Sequence, residues 1–243
     1  KIDTLGNIVW QNTIGGSGHD MLTCIISTSN GGFLLGGWSD SPISGDKTVD
    51  SKGSYDYWIL KIDSLGNIVW QNSIGGSSAD YLSSISLSID GGFLLGGYSA
   101  SSISGDKTEG CNGFWDYWVV KIDSVGNIVW ENTIGGNSAD YLISIASAPD
   151  GGFVLAGNSN SNISGDKTEN CIGDIDYWAV KIDSLGTIIW QNTIGSNTTD
   201  YLATIVNLLT GDYVLGGSST ANISGDKTEN SNGGYDNWIV KLS

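Results

Sequence analysis

A 60-residue unit repeats along the whole chain. Its opening run, KIDTLGNIVW, recurs with few changes at positions 1, 61, 121 and 181, and residues 241–243 begin a further copy. Across the four copies, 25 of the 60 positions hold one residue type. Self-similarity at a fixed period of this length is typical of a propeller, a solenoid or an array. We therefore predict a single domain over 1–243, with repeats 1–60, 61–120, 121–180 and 181–240.

The composition excludes several classes of protein. The 243 residues include 26 acidic and ten basic side chains, for a net charge of −16. Nucleic acids and anionic membranes bind basic surfaces, so neither is an expected partner. No stretch approaches the ~20 apolar residues of a membrane helix, so we expect no membrane insertion. With 36 glycines and two prolines, the chain has the composition of short strands joined by tight turns.

Each repeat carries four strand patterns. In the second copy, they cover Tyr81–Ile89, Phe93–Ser99, Asp116–Asp123 and Asn127–Gly135. Glycine-bearing turns link the first strand to the second and the third to the fourth, where Gly126 supplies the left-handed conformation of a hairpin loop. A long loop rich in Ser, Gly, Asp and Asn links the second strand to the third. The sequence therefore predicts an all-β fold, a β-propeller of four four-stranded blades.

The two ends of the chain carry complementary parts of a blade. Residues 7–15 form a lone fourth strand, and the last repeat ends with its third strand. We predict that strand 7–15 completes the C-terminal blade and closes the ring within one molecule, because natural sheets avoid unpaired edges. The alternative is that 7–15 completes the last blade of a neighbouring molecule, which would build a filament. Because Lys1 already lies inside a repeat, we interpret the chain as a processed product or a piece of a longer protein.

Two segments carry a resemblance to a known family. GGFLLGGYS, followed after the loop by DYWVVKIDSVGNIVWENTIGG, resembles the secreted bacterial β-propeller repeats that are named for a seven-bladed propeller. The glycine pair followed by spaced tryptophans is also similar to kelch repeats. The chain departs from the first family in having four copies and not seven. The resemblance implies an extracellular or cell-surface module that binds or builds, and it brings no catalytic residues.

Eight tryptophans recur once per repeat on the third and fourth strands. We expect them to pack between blades, because each aromatic side chain buries ~150–250 Å². Trp38 and Trp115 occur in one copy each, beside loops, and are better candidates for the surface. The eight repeated residues are Trp10, Trp70, Trp130, Trp190, Trp58, Trp118, Trp178 and Trp238.

The long loop carries repeated acidic residues, for which two interpretations stand. Hard oxygen ligands of this kind would bind Ca²⁺ if the loop folded back on the third strand. The other interpretation is a structural Asp turn in which Lys47 pairs with a neighbouring acid. The candidate metal ligands are Asp46, Asp106, Asp166, Asp226, Glu109, Glu169, Glu229 and Asp236.

The chain offers little for catalysis. Its single histidine, His19, occurs in one repeat only, and we find no nucleophile–base pair that a hydrolase or transferase would need. Of the three cysteines, Cys111 and Cys171 are equivalent residues of adjacent repeats. A disulfide between them is one interpretation, and free exchange with serine is the favoured one. We predict that the protein is not an enzyme, has no catalytic or cofactor-binding residues and requires no cofactor.

Two functions remain after these exclusions. The first is a structural or adhesive role at a cell surface or outside the cell, with the chain itself as a partner in head-to-tail assembly. The second is a multivalent lectin with one glycan site per blade, formed by the loop aromatics Tyr55, Trp115 and Tyr235. Repeated weak sites would raise the avidity for surface glycans.

Overall fold

The computed structural model describes residues 1–29 and 31–243, and this part of the chain is built from strands and loops. It contains no helix long and apolar enough to cross a membrane. Fifteen strands form four antiparallel sheets, which we number in chain order. The strands are β1 Asp20–Ser27, β2 Phe33–Ser39, β3 Asp56–Ile62, β4 Ile68–Ile74, β5 Asp80–Leu87, β6 Phe93–Ser99, β7 Asp116–Ile122, β8 Ile128–Ile134, β9 Asp140–Ser147, β10 Phe153–Ser159, β11 Asp176–Ile182, β12 Ile188–Ile194, β13 Asp200–Asn207, β14 Tyr213–Ser219 and β15 Asp236–Leu242.

Each of the first three sheets is a simple up-and-down meander of four strands, in the orders β1–β2–β3–β4, β5–β6–β7–β8 and β9–β10–β11–β12. The four strands predicted for the second repeat are all present, and their ends lie within two residues of the predicted ends. Gly126 has a φ of 91° in the turn between β7 and β8, which confirms the predicted left-handed conformation. The all-β repeat architecture is therefore confirmed.

The hydrophobic core lies between neighbouring sheets. Three clusters of buried side chains each join one sheet to the next, and the second of them brings Leu94 and Tyr117 against Leu142 and Trp178. The prediction that repeated tryptophans pack between repeats is confirmed for the third-strand residues Trp118, Trp178 and Trp238, whose ring centroids lie 4.9–5.1 Å from those of tyrosines of the preceding sheet. Trp58 is buried within the first sheet. Trp10, Trp70 and Trp130 are only partly buried and cover the hairpin turn of the next repeat from outside. Trp190 is exposed.

The predicted closure of the ring is not observed. The fourth sheet contains β13, β14 and β15 only, and no sheet of the described residues is closed on itself. Residues 7–15 form no strand and do not pair with β15. They lie against the first sheet instead, because their side chains bond to the hairpin that follows β3. The fourth four-stranded blade and the closure of a propeller within one chain therefore remain predictions.

Candidate functional site

Residues 7–15 are equivalent to β4, β8 and β12, the fourth strands of the three complete sheets. They lie beside the first sheet, where the fourth strand of a preceding sheet would lie. The Trp10 indole N–H donates to the Ser64 carbonyl at 3.1 Å, and the Asn12 side-chain amide donates to the Gly66 carbonyl at 2.7 Å. Bonds of the same kind, at 2.9–3.2 Å, join β4 and β8 to the next hairpin: Asn72 to Gly126, Trp130 to Ser184 and Asn132 to Gly186. The segment is thus placed as a fourth strand without a third strand beside it.

At the other end of the chain, the outer edge of β15 is where a fourth strand would pair. In the first sheet, the strand equivalent to β15 pairs with β4 in a fixed register, with Leu60 opposite Gln71 and Lys61 opposite Trp70. The same register repeats in the second and third sheets. By equivalence, the partner of Val240 would be a residue such as Gln11. In the described structure, β15 pairs with β14 alone.

A short stretch of the chain partly covers residues 7–15. Ile2 forms an isolated antiparallel bridge with Ile8, and the Val9 N–H donates to the Lys1 carbonyl at 2.8 Å. Residues 1–3 therefore take the place that the end of β15 would need. Because only three residues cover this edge of 7–15, they would compete weakly with a longer strand that pairs there.

The acidic residues predicted as metal ligands are bonded to backbone donors. Asp106 accepts a hydrogen bond from the Gly75 N–H at 3.0 Å and forms an ion pair with Lys52. The long loop therefore caps the end of β4, the fourth strand of the preceding sheet. Asp46, Asp166 and Asp226 accept the equivalent N–H groups of Gly15, Gly135 and Gly195 at 3.0–3.2 Å.

The remaining candidate ligands are also engaged locally or lie apart. Glu109 and Glu169 accept the N–H groups of Thr133 and Thr193 at 3.0 and 2.6 Å. Asp236 accepts the N–H of Asn232 at 2.5 Å, and Glu229 lies in the open groove beside it. In residues 1–29 and 31–243, no three His, Cys, Asp or Glu side chains come together as a metal site. Among the described residues, the predicted Ca²⁺ ligands are thus not gathered at one point, and Ca²⁺ binding itself stays a prediction.

The repeated loop lysine does not use an acid as its partner. The Lys47 ammonium is buried and donates to the carbonyls of Ser41 and Val49 at 3.0 and 2.9 Å. Burial lowers the pKa of Lys47 below its usual value. The lysine of the third strand makes the ion pair instead: Lys121 contacts Asp90 at 2.8 Å and holds the pKa of that carboxyl at about 2. Both lysine series therefore have structural roles.

A buried carboxyl begins the third strand of each of the first three sheets, at Asp56, Asp116 and Asp176. Asp116 is fully buried, its Oδ2 accepts the N–H of Asn112, and its Oδ1 has no hydrogen-bond partner among the described residues. Burial, with the nearby Asp140 as a lesser cause, raises the pKa of Asp116 to about 6. Sequence reasoning singled out this repeat position, through Asp236, only as a candidate metal ligand; it did not predict the burial, because a strand-initiating Asp looks the same whether it is buried or exposed.

Six aromatic rings form a continuous patch along one end of the first two sheets and the edge of the third. Neighbouring ring centroids are 5.0–5.7 Å apart, except for one pair at 6.4 Å, and each ring is partly exposed. We call this set the aromatic strip; it consists of Trp38, Tyr55, Tyr81, Tyr98, Trp115 and Tyr141.

The aromatic strip brings together two of the three predicted sugar-stacking residues. Tyr55 and Trp115 both belong to it. Tyr235 lies apart, with its ring centroid 6.1 Å from that of Tyr201. Sequence reasoning missed Tyr81 and Tyr98, which are a cross-strand pair of β5 and β6. The signal that could have found Tyr81 is the recurrence of tyrosine at the equivalent positions Tyr141 and Tyr201.

The groups with the chemistry for catalysis are one histidine and three cysteines. The backbone N–H of His19 donates to a carboxylate oxygen of Asp40 at 2.6 Å and lowers the pKa of that carboxyl. The His19 side chain is exposed, and its Nδ1 lies 3.1 Å from the other oxygen. The three cysteines are free thiols, and Cys111 and Cys171 each donate to carbonyl groups of their own repeat. Burial raises the pKa of the Cys24 and Cys171 thiols to about 11, so both are poor nucleophiles at neutral pH.

No protein-family model and no curated protein matches the chain. Three of the solved structures that match the chain do so at low sequence identity and with TM-scores below 0.5. A protein of unknown function from Bacteroides caccae has a TM-score of 0.47 at 10% identity, over 88% of this chain and 58% of that one. Kuenenia stuttgartiensis hydrazine synthase has a TM-score of 0.41 at 12% identity, over 97% and 66% of the two chains. The tail fiber of Staphylococcus aureus phage P68 has a TM-score of 0.30 at 11% identity, over 94% and 51%. The chain thus spans about half to two thirds of the length of these structures.

Proposed function

We propose that the protein is a non-catalytic structural or adhesive module, extracellular or displayed on a cell surface, that joins further copies of itself end to end. In this proposal, residues 7–15 of one copy add to β15 of the next and complete its fourth sheet. The observation that carries the proposal is a pair of open edges: among the described residues, β15 has no outer neighbour, and only residues 1–3 pair with the inner edge of 7–15. Backbone pairing between such edges is a general route to association.

The register of the internal sheets sets the expected register of the joint. Three internal sheets pair their third and fourth strands identically, so Val240 of one copy would lie opposite Gln11 of another. Ring closure within one chain would use the same register. A cross-link between these two positions therefore distinguishes the two assemblies.

The test is oxidative cross-linking of Gln11→Cys with Val240→Cys, in a chain whose native cysteines are replaced by serine. Serine already stands at the positions equivalent to Cys24, Cys111 and Cys171 in other repeats, so this background is expected to fold. The matched control is Val9→Cys with Val240→Cys, which lies on the same strand face but two residues out of register.

We expect a ladder of disulfide-linked oligomers for the in-register pair and none for the control. A cross-linked monomer, identified by its altered mobility without reductant, would overturn the assembly and support a ring closed within one chain. Absence of both products would exclude pairing of these two edges.

A second function, carbohydrate binding, is favoured by the aromatic strip. Partly exposed rings present apolar faces on which sugar rings stack, and six of them in a row would fit an extended glycan better than one site per repeat. On a glycan array, Trp115→Ala is expected to abolish binding. Phe114→Ala is the control, because Phe114 is adjacent, 81% exposed and outside the strip. Equal binding by both variants, or no binding by the unmodified chain, would refute this function.

A further inference from the structure

Neighbouring sheets meet along boundaries that we call seams, and the same backbone contact recurs at each of them. The residue before the third strand of one sheet forms an isolated parallel bridge to the residue before the first strand of the next. At the first seam this bridge joins Tyr55 to Ala79, and the Asp80 N–H donates to the Tyr55 carbonyl at 2.7 Å. The backbone of Tyr55 is therefore fixed beside the start of β5, where Tyr81 is the second residue.

Among the described residues, only the first seam places two phenols together at this contact. The ring centroids of Tyr55 and Tyr81 are 5.5 Å apart and their planes differ by 29°, which makes them a stacked pair. Both side chains are partly exposed. The equivalent pairs at the second and third seams are Trp115 with Tyr141 and Ile175 with Tyr201.

The hydroxyls of the stacked pair differ from those of the buried tyrosines. In the part of the chain that the structure describes, neither the Tyr55 nor the Tyr81 hydroxyl donates a hydrogen bond to another residue. The fully buried Tyr57, by contrast, donates to the Trp118 carbonyl at 2.9 Å. Burial, with Tyr55 as a lesser cause, raises the pKa of Tyr81, so that phenol is protonated at neutral pH. Its oxidation must remove a proton together with the electron, and water at the exposed side of the ring can accept that proton.

We infer that Tyr55 and Tyr81 are a site of oxidative cross-linking, at which a peroxidase with hydrogen peroxide joins them as a dityrosine across the first seam. Each phenol gives up one electron and one proton, and hydrogen peroxide takes both pairs and becomes two molecules of water. The two phenoxyl radicals then form a carbon–carbon bond between ring carbons ortho to the hydroxyls. The hydrogen on each of those carbons moves to the phenolic oxygen, which restores both aromatic rings.

The orientation of the rings decides which tyrosines couple. The new bond forms from π orbitals that point away from the ring planes, so stacked rings are aligned for coupling and edge-to-face rings are not. Tyr98 and Tyr141 have closer centroids, at 5.0 Å, but their planes differ by 86°. Tyr81 and Tyr98 are 5.4 Å apart and tilted by 43°. The stacked pair is therefore expected to couple in preference to both of these pairs.

Exposure alone would favour a different pair. Tyr201 and Tyr235 are 41% and 60% exposed, and their ring centroids are 6.1 Å apart. An oxidant that joined whichever phenols it reached first would produce a cross-link between these two. They therefore provide an internal comparison that separates accessibility from ring alignment. The inference depends on neither the end-to-end assembly nor glycan binding.

The test is treatment of the full chain, in dilute solution, with a haem peroxidase and hydrogen peroxide. The monomer is isolated by size-exclusion chromatography, which removes bonds between molecules, and its dityrosines are mapped by tandem mass spectrometry. The same reaction in concentrated urea is the control for proximity, because unfolding separates the two rings. Tyr55→Phe and Tyr81→Phe keep an aromatic ring at each position and remove the hydroxyl that the reaction needs. Tyr98→Phe is the matched control from the aromatic strip.

We expect the Tyr55–Tyr81 dityrosine to be the main product in the native monomer. It should be about tenfold or more abundant there than in urea, because the folded chain holds the two rings in contact. The product should be lost in Tyr55→Phe and in Tyr81→Phe and kept in Tyr98→Phe. A main product that joins any other pair of tyrosines would overturn the inference. So would equal yields in the native chain and in urea, or the absence of dityrosine from the oxidised monomer; neither comparison requires a substitution.

Discussion

Asp116 provides a quantitative prediction of how stability depends on pH. Its Oδ1 faces Gly135 in a space too small for a side chain, because a methyl group on that glycine would lie 2.3 Å from the oxygen. The carboxyl is therefore desolvated, and its pKa is raised from 3.8 to about 6. This shift corresponds to about 3 kcal/mol of unfavourable free energy for the ionised group in the folded state.

The sign follows from proton binding. Between pH 6 and 4, the folded state holds a proton on Asp116 that the unfolded state releases. The free energy of unfolding should therefore increase as the pH falls through 6 and stop increasing below about 4. Asp116→Asn removes this dependence, and its buried amide adds only a contribution that does not vary with pH.

The measurement is urea unfolding of the unmodified and variant chains at pH 4 and pH 8. The change in the free energy of unfolding caused by Asp116→Asn should be about 3 kcal/mol more favourable at pH 8 than at pH 4. Asp123→Asn is the matched control in the same repeat. Hydrogen bonds from Asn127 lower the pKa of Asp123, so its substitution should be less favourable at pH 8. The reasoning would be refuted if the effect of Asp116→Asn on the free energy of unfolding did not change with pH, or changed in the same direction as that of Asp123→Asn.

Further predictions concern the contacts between neighbouring sheets and the two ends of the chain. Leu82→Ala should lower the free energy of unfolding by about 3 kcal/mol, whereas Leu22→Ala should change it by less than about 0.5 kcal/mol in dilute monomer; chemical denaturation compares the two. Tyr117→Phe should cost about 1 kcal/mol through loss of the bond to the Trp178 carbonyl. Deletion of residues 1–3 should strengthen self-association in sedimentation experiments, and unchanged association would show that these residues do not compete for the edge. Raising the salt concentration should also strengthen association, because copies with a net charge of −16 repel each other.

The strands could be predicted from the sequence almost to the residue, because local chemistry determines their ends. Asp90 and Gly91 define one turn and Gly126 another, and both act within a few residues. The ring closure could not be predicted in this way. Whether residues 7–15 reach β15 depends on the rotation between successive sheets, which is set by packing at the seams and not by any local pattern.

The candidate sites were harder to predict than the fold, for a related reason. Asp106 was a metal candidate because carboxylates recur in the loop, yet it accepts an N–H group from Gly75, at the end of the preceding sheet. Spacing along the sequence does not reveal which strand end of a neighbouring sheet lies beside the loop. The aromatic strip was recognised only in part, since Tyr81 joins it through a ring of the first sheet, Trp38, as well as through its own neighbours.

Identical leucines on the first strands of different sheets have unequal surroundings in this structure. Leu82 on β5 is buried, because it packs on Gly36 of the sheet before it. Leu22 on β1 is 58% exposed. Substitutions at these two equivalent positions should therefore differ in their effect on the free energy of unfolding, which the comparison of Leu82→Ala with Leu22→Ala tests.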